Sequence, residues 1–211
     1  DSMGNMLWNK TYGGTSYDHA SAITQAGDGG YTLAGTTRSF SSGMSDFWLV
    51  HTDSDGNLLW NKTYGGGDAD EAYALVLTSD GGYAIAGRQY FTVDYMGSYN
   101  FWLVRTDSNG NMLWNKTYGG TGSDGAYALV QTSDGYALAG STTSFGAGSS
   151  DFYLVKTDVN GDIQWDRTFG GTDMDAAWAL VQTADGGYAL AGVTYSFGAG
   201  SGDFWLIHTD S

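Results

Sequence analysis

One octapeptide recurs along this 211-residue chain at nearly constant spacing. Leu-Trp-Asn-Lys-Thr-Tyr-Gly-Gly runs from Leu7 to Gly14 and returns at Leu59–Gly66 and Leu113–Gly120. A fourth version, Gln-Trp-Asp-Arg-Thr-Phe-Gly-Gly, fills Gln164–Gly171. Its tryptophans, Trp8, Trp60, Trp114 and Trp165, stand 52, 54 and 51 residues apart. Self-similarity at this period marks copies of one supersecondary unit that must stack on its neighbours to bury a core.

Each copy reads as four short strands. In the third copy they are Ala126–Thr132, Tyr136–Ser141, Asp151–Asp158 and Asp162–Thr168, apolar or aromatic runs bounded by Gly, Asp, Asn and Ser. The first and second strands join through Asp-Gly turns at Asp28, Asp80, Asp134 and Asp185, where both residues tolerate positive φ. The third and fourth join through Ser54–Asn57, Ser108–Asn111 and Val159–Asp162. Proline is absent, as suits a chain that is mostly hydrogen-bonded ladder. The expectation is an all-β chain, a single four-bladed β-propeller domain over 1–211 with four-stranded antiparallel blades. The blades span about 18–64, 70–118, 124–169, and 175–211 together with 4–12. Alternating alanines (Ala20/Ala22, Ala72/Ala74, Ala126/Ala128, Ala177/Ala179) place small side chains on the crowded inner strands, and the tryptophans fill the wider outer gaps.

The chain starts on a fourth strand, Asn5–Thr11, and ends on a third, Phe204–Thr209. Counted through the two ends, Trp165 to Trp8 is again 54 residues. The N-terminal strand is therefore expected to complete the last blade, in cis within one ring or in trans by strand exchange. Exchange is heterologous, and a head-to-tail contact that does not close makes a filament.

The unit resembles the short β-propeller repeats of bacterial and archaeal secreted and surface proteins. The residues carrying the likeness are Asp151–Asp158, Asn160-Gly161, Trp165 and Gly170-Gly171. The acidic-Ala-Tyr-Ala start of the first strand and the Asp-Gly-Gly-Tyr before the second match too. The likeness covers all four units. It implies a propeller in an extracellular or cell-surface setting, and no catalytic residue to carry over.

The 23 acidic against 8 basic side chains give a net charge of −15, which disfavours nucleic acid as a partner. With no Cys there is no disulfide framework and no thiolate site. No apolar run approaches the roughly 20 residues of a membrane helix, so no membrane insertion is expected.

Several residues are candidates for chemistry. Asp18, Asp70, Asp124 and Asp175 each precede a first strand. Converging at a channel mouth, they would need Ca²⁺ or another hard cation among them. Alternatively, each caps its own loop and pairs with a repeated base (Lys10, Lys62, Lys116, Arg167). Asp53, Asp55 and Asn57 resemble the front half of a calcium loop without its distal Glu, or else form a hairpin turn. Asn9, Asn61 and Asn115 open Asn-Lys-Thr glycosylation acceptors, with a packing role as the competing reading. In the second copy the segment Arg88–Asn100 is longer. Its Arg88, Tyr90, Asp94, Tyr95 and Tyr99 form either a carbohydrate- or protein-binding patch or a plain surface insertion. His51 and His208 share a strand position with Arg105 and Lys156, which reads as polar and solvated. No placed nucleophile accompanies any His, so no enzyme is expected. The reading is a non-catalytic, self-assembling extracellular structural module, a filament subunit or a partner of other surface proteins. An adhesin or lectin-like propeller is the alternative, and a glycan-active enzyme comes third.

Overall fold

The computed structural model describes residues 2–93 and 96–210, and those residues contain strands and turns but no helix. The first sheet holds β1 (Asp18–Gln25), β2 (Tyr31–Thr37), β3 (Asp46–Thr52) and β4 (Leu58–Tyr64), in that order. The second holds β5 (Asp70–Leu77), β6 (Tyr83–Val93), β7 (Met96–Thr106) and β8 (Met112–Tyr118). The third holds β9 (Asp124–Thr132), β10 (Gly135–Thr142), β11 (Asp151–Asp158) and β12 (Ile163–Phe169). The fourth has three strands, β13 (Asp175–Gln182), β14 (Tyr188–Thr194) and β15 (Asp203–Thr209). All neighbouring strands are antiparallel.

Turn chemistry sets this meander. Between β1 and β2 the Ala26 N–H donates to the Gly30 carbonyl at 3.0 Å, with Gly29 at φ 87°. Between β3 and β4 the Asp53 N–H donates to the Asn57 carbonyl at 3.0 Å. There Gly56 takes φ 74°, which other residues adopt at a cost. The register of the first strand slips at Ala20/Ala22, Ala72/Ala74 and Ala177/Ala179, a bulge repeated from sheet to sheet.

The core lies between sheets. Phe47 on β3 packs on Trp102 of the second sheet with ring centroids 4.5 Å apart. Phe101 on β7 packs on Tyr153 (5.1 Å), and Phe152 on β11 packs on Trp205 (4.8 Å). All three phenylalanines are fully buried. Each sits in a separate apolar cluster shared by two adjacent sheets. Close approach is possible because the strand beneath carries Gly. A Cβ on Gly87 would collide with both the Glu71 carbonyl and the Phe47 ring. The first strands β1, β5, β9 and β13 adjoin in sequence, which is a propeller-like stacking.

Two expectations are corrected. The segment Asn5–Thr11 is not a strand, and the fourth sheet lacks a fourth member. Among the described residues no strand pairs with the outer edge of β15. Phe204 and Leu206 are 103% and 73% exposed, whereas their counterparts Phe47 and Leu49 are at 0%. The Arg88–Asn100 segment, read as a loop, instead prolongs β6 and β7 as a paired hairpin, with Tyr90 opposite Tyr99.

Removing a buried inter-sheet ring creates a cavity as well as losing apolar burial. Phe101→Ala should cost about 3–5 kcal/mol in urea unfolding. Phe204→Ala, at the open end, should stay within about 0.5 kcal/mol in dilute solution.

Candidate functional site

Each of the four repeated aspartates opens a first strand and is held by its own set of nearby donors. Asp18 accepts from the Gly14 N–H (2.9 Å), the Thr37 hydroxyl (2.5 Å) and the Ser39 hydroxyl (2.6 Å). Asp124 accepts from the Gly120 N–H (3.0 Å), the Thr142 hydroxyl (2.5 Å) and the Ser144 hydroxyl (2.7 Å). Asp175 accepts from the Gly171 N–H (2.9 Å) and the Ser196 hydroxyl (2.7 Å). Asp70, whose sheet lacks that Ser, accepts from the N–H groups of Gly66 and Tyr90, both at 3.1 Å. Burial raises the Asp18 pKa, but the Ser39 and Thr37 hydroxyls and the N–H groups outweigh it and bring it down to about 2. Among the described residues no three acidic or His side chains cluster as metal ligands. The repeated bases turn elsewhere: Lys10 reaches Asn57 (3.2 Å) and Lys116 reaches Asp162 (2.8 Å).

Three of these aspartates, Asp70, Asp124 and Asp175, face a second acidic or amide residue on the third strand of the preceding sheet. Asp46 Oδ1 and Asp70 Oδ2 both stand where a Cβ on Gly65 would be, so the glycine makes room for them. Asp151 and Asp175 stand the same way about Gly170. Asp46, Asp70, Asp151 and Asp175 are all buried, and Asp46 Oδ1 has no hydrogen-bond partner. At the middle junction the corresponding residue is Asn100. With its amide nitrogen turned inward, it donates to Asp124 Oδ2 at 3.1 Å and to the Gly120 carbonyl at 3.2 Å. Asp46 sends its other oxygen to the Ser42 N–H and hydroxyl (2.8 and 3.1 Å). Two carboxylates this close cannot both ionise freely. Burial, with the charges of Asp46 and Asp68, pushes Asp70 up to about 6 against the pull of its two N–H donors. Burial and the charge of Asp175 likewise raise Asp151.

A third repeated device was misread from sequence as a solvated position. His51, Arg105 and Lys156 are buried at 5%, 5% and 4% exposure. Each pairs with the Asp of the adjacent Asp-Gly turn: His51–Asp28 at 3.0 Å, Arg105–Asp80 at 2.5 Å, Lys156–Asp134 at 2.8 Å. They pin the first hairpin turn to the third strand. Only at the open end is the group exposed, in His208–Asp185 at 3.5 Å.

The remaining candidates are engaged locally. Asp53 caps its own turn, accepting from the Asp55 and Asn57 N–H groups (2.9 and 2.8 Å) and from the Asn57 amide (2.9 Å). The Asn61 and Asn115 side-chain oxygens accept from the indoles of Trp48 (3.2 Å) and Trp102 (3.1 Å). Both asparagines are exposed on outer strands, as is Asn9 on the N-terminal segment. In the third sheet the pair changes together, and the Tyr153 hydroxyl donates to Asp166 at 2.7 Å. Arg88 is held by Glu71 (2.7 Å) and lies 4.2 Å over the Tyr99 ring, which meets Tyr90 edge-on at 5.3 Å. The Arg88 charge is thus met by Glu71 of β5, although its Nε has no hydrogen-bond partner. Asp94 and Tyr95 lie outside the described residues.

No family model matches the chain. It is similar to the regulatory protein FlaEY of Caulobacter vibrioides, 26% identical over 221 residues. The match covers 95% of this chain and 22% of that protein, so the chain spans about a fifth of the length of its relative.

The junction carboxylates make stability depend on pH in a defined direction. A carboxyl whose folded pKa is raised contributes stability that is complete below its unfolded value, 3.8, and is lost as pH rises through about 6. Across that window each raised group lowers the folded-to-unfolded ratio by at most about tenfold per pH unit. Asp46→Asn, which copies the Asn100 arrangement, should remove the part of the Asp70 shift that comes from the Asp46 charge, leave the larger part due to burial, and raise the urea midpoint at pH 7.

Proposed function

We propose that this chain is a non-catalytic structural module of an extracellular or surface protein. It builds by stacking β-propeller blades and associates with further blades of its own kind. Each sheet is one blade, and the fourth blade is completed by an N-terminal segment supplied in trans. The observation that carries this reading is the sameness of the junctions. Three inter-sheet contacts repeat one Phe-on-aromatic design, and the open last sheet presents that Phe again, uncovered. An exposed apolar edge strand invites exactly such addition unless something covers it. Among the described candidates, Asp18, Asp53, Asn61, Asn115 and Arg88 are engaged in turns, caps and ion pairs, which favours a building block over an adhesin. A likeness confined to about a fifth of a longer relative supports a modular role.

The reading predicts a concentration-dependent size distribution in sedimentation velocity, with species growing in whole multiples of 22.4 kDa. A single 22.4 kDa species at every concentration would count against assembly.

A further inference from the structure

Residues 6–12 belong to no sheet, yet they are seated on the first sheet as a fourth strand is seated on the sheet that follows it. The Tyr12 hydroxyl donates to the Gly56 carbonyl at 2.7 Å, as Tyr64 does to Gly110 (2.7 Å) and Tyr118 to Gly161 (2.8 Å). The Trp8 ring lies 5.9 Å from Tyr31, matching Trp60 on Tyr83 (6.1 Å) and Trp114 on Tyr136 (5.9 Å). Trp8 also crowds Gly56 as Trp60 crowds Gly110 and Trp114 crowds Gly161. The segment is thus a docked outer strand whose own sheet is missing.

Between this segment and the first sheet lies a cavity of about 280 Å³, bordered by Lys10, Tyr12, Ala20, Leu33, Trp48 and Val50. At the internal junctions the same space holds the Phe of the preceding third strand. Phe47 sits over Gly87 and against Trp102; the equivalents in the first sheet, Gly35 and Trp48, both line the cavity. The matching insert is at the other end of the chain. Phe204 is fully exposed, and Trp205 lacks the side-chain acceptor that Asn61 gives Trp48 and Asn115 gives Trp102. Asn9 occupies that position in the docked segment.

Resting on the assembly reading, we propose that this cavity and the edge of residues 6–12 receive β15 of a second copy. The Phe204 ring fills the cavity, and the strand pairs antiparallel with the segment. The internal pairing of β3 with β4 fixes the register. Phe47 opposite Tyr64, Trp48 opposite Thr63 and Leu49 opposite Lys62 place Phe204 opposite Tyr12, Trp205 opposite Thr11 and Leu206 opposite Lys10. In the structure β15 pairs with β14 alone and the segment 6–12 docks on the first sheet, so the occupant is assigned to a second copy. The contact uses a different patch on each partner, so it extends head to tail, into a ring where the rotation closes and a filament where it does not.

The chain has no cysteine, so the register is testable by cross-linking. Paired residues on antiparallel strands stand about 4.5–5.5 Å apart, within disulfide range. Lys10→Cys and Leu206→Cys, placed in separate chains and mixed under mild oxidation, should give a covalent dimer that neither variant forms alone. A disulfide formed only when both cysteines share one chain, with the product remaining monomeric, would show closure in cis and overturn the proposal. Phe204→Asp should weaken self-association at least tenfold while leaving monomer melting unchanged. If Phe204→Asp associates as tightly as the parent chain, this contact is wrong while the assembly reading stands. If the parent chain never associates, both fail.

Discussion

The contact on which the molecule depends is a phenylalanine ring pressed through a gap in the neighbouring sheet onto an aromatic ring beyond. The gap exists because the second strand carries Gly at that position in every sheet, where a Cβ would strike the carbonyl of the adjacent bulged strand. Bulge, glycine and phenylalanine are therefore one device, and none of the three works without the others. No sheet holds a core of its own. Most of the buried apolar side chains fall into three clusters, each shared by two sheets. Stability then accumulates junction by junction, as in other stacked repeats.

Polar groups are arranged around this apolar contact so that little is left over. Buried bases lock the inner hairpin turns, carboxylates organise the loops before each first strand, and an indole–amide bond ties third strand to fourth. The acidic surplus read from the sequence is thus largely structural, one set of loop and turn acids per repeat. The carboxyl pairs between sheets are the exception, since they add strain rather than order when ionised.

Much of the fold was legible because its signals occur four times. Fourfold Asp-Gly turns and Asn-Gly links gave the strand order and, apart from the N-terminal segment, strand ends within a few residues. The junction acids were not legible as pairs. Asp46 and Asp70, Asn100 and Asp124, and Asp151 and Asp175 come from different repeats, and each looks like an ordinary loop cap in its own. Their constant separation of 24 residues was the available signal. Burial of His51, Arg105 and Lys156 was hidden for another reason: a polar side chain at a strand end reads as solvated until the adjoining turn is seen to fold over it. Asn5–Thr11, read as a strand from its repeat pattern, is not one in the structure because strand character needs a partner, and the pattern records the unit without saying which molecule supplies the other edge.

Asn100 gives the stack a grain. Of the three junctions, the middle one closes on an amide against a single carboxylate, while those on either side close on two acids. As pH rises, ionisation of Asp70 and of Asp151 sets like charges against each other at the two outer junctions, a repulsion the amide removes from the middle one. What would look like a uniform array of repeats has a kernel, and the order in which it comes apart is written in the loss of a single carboxylate.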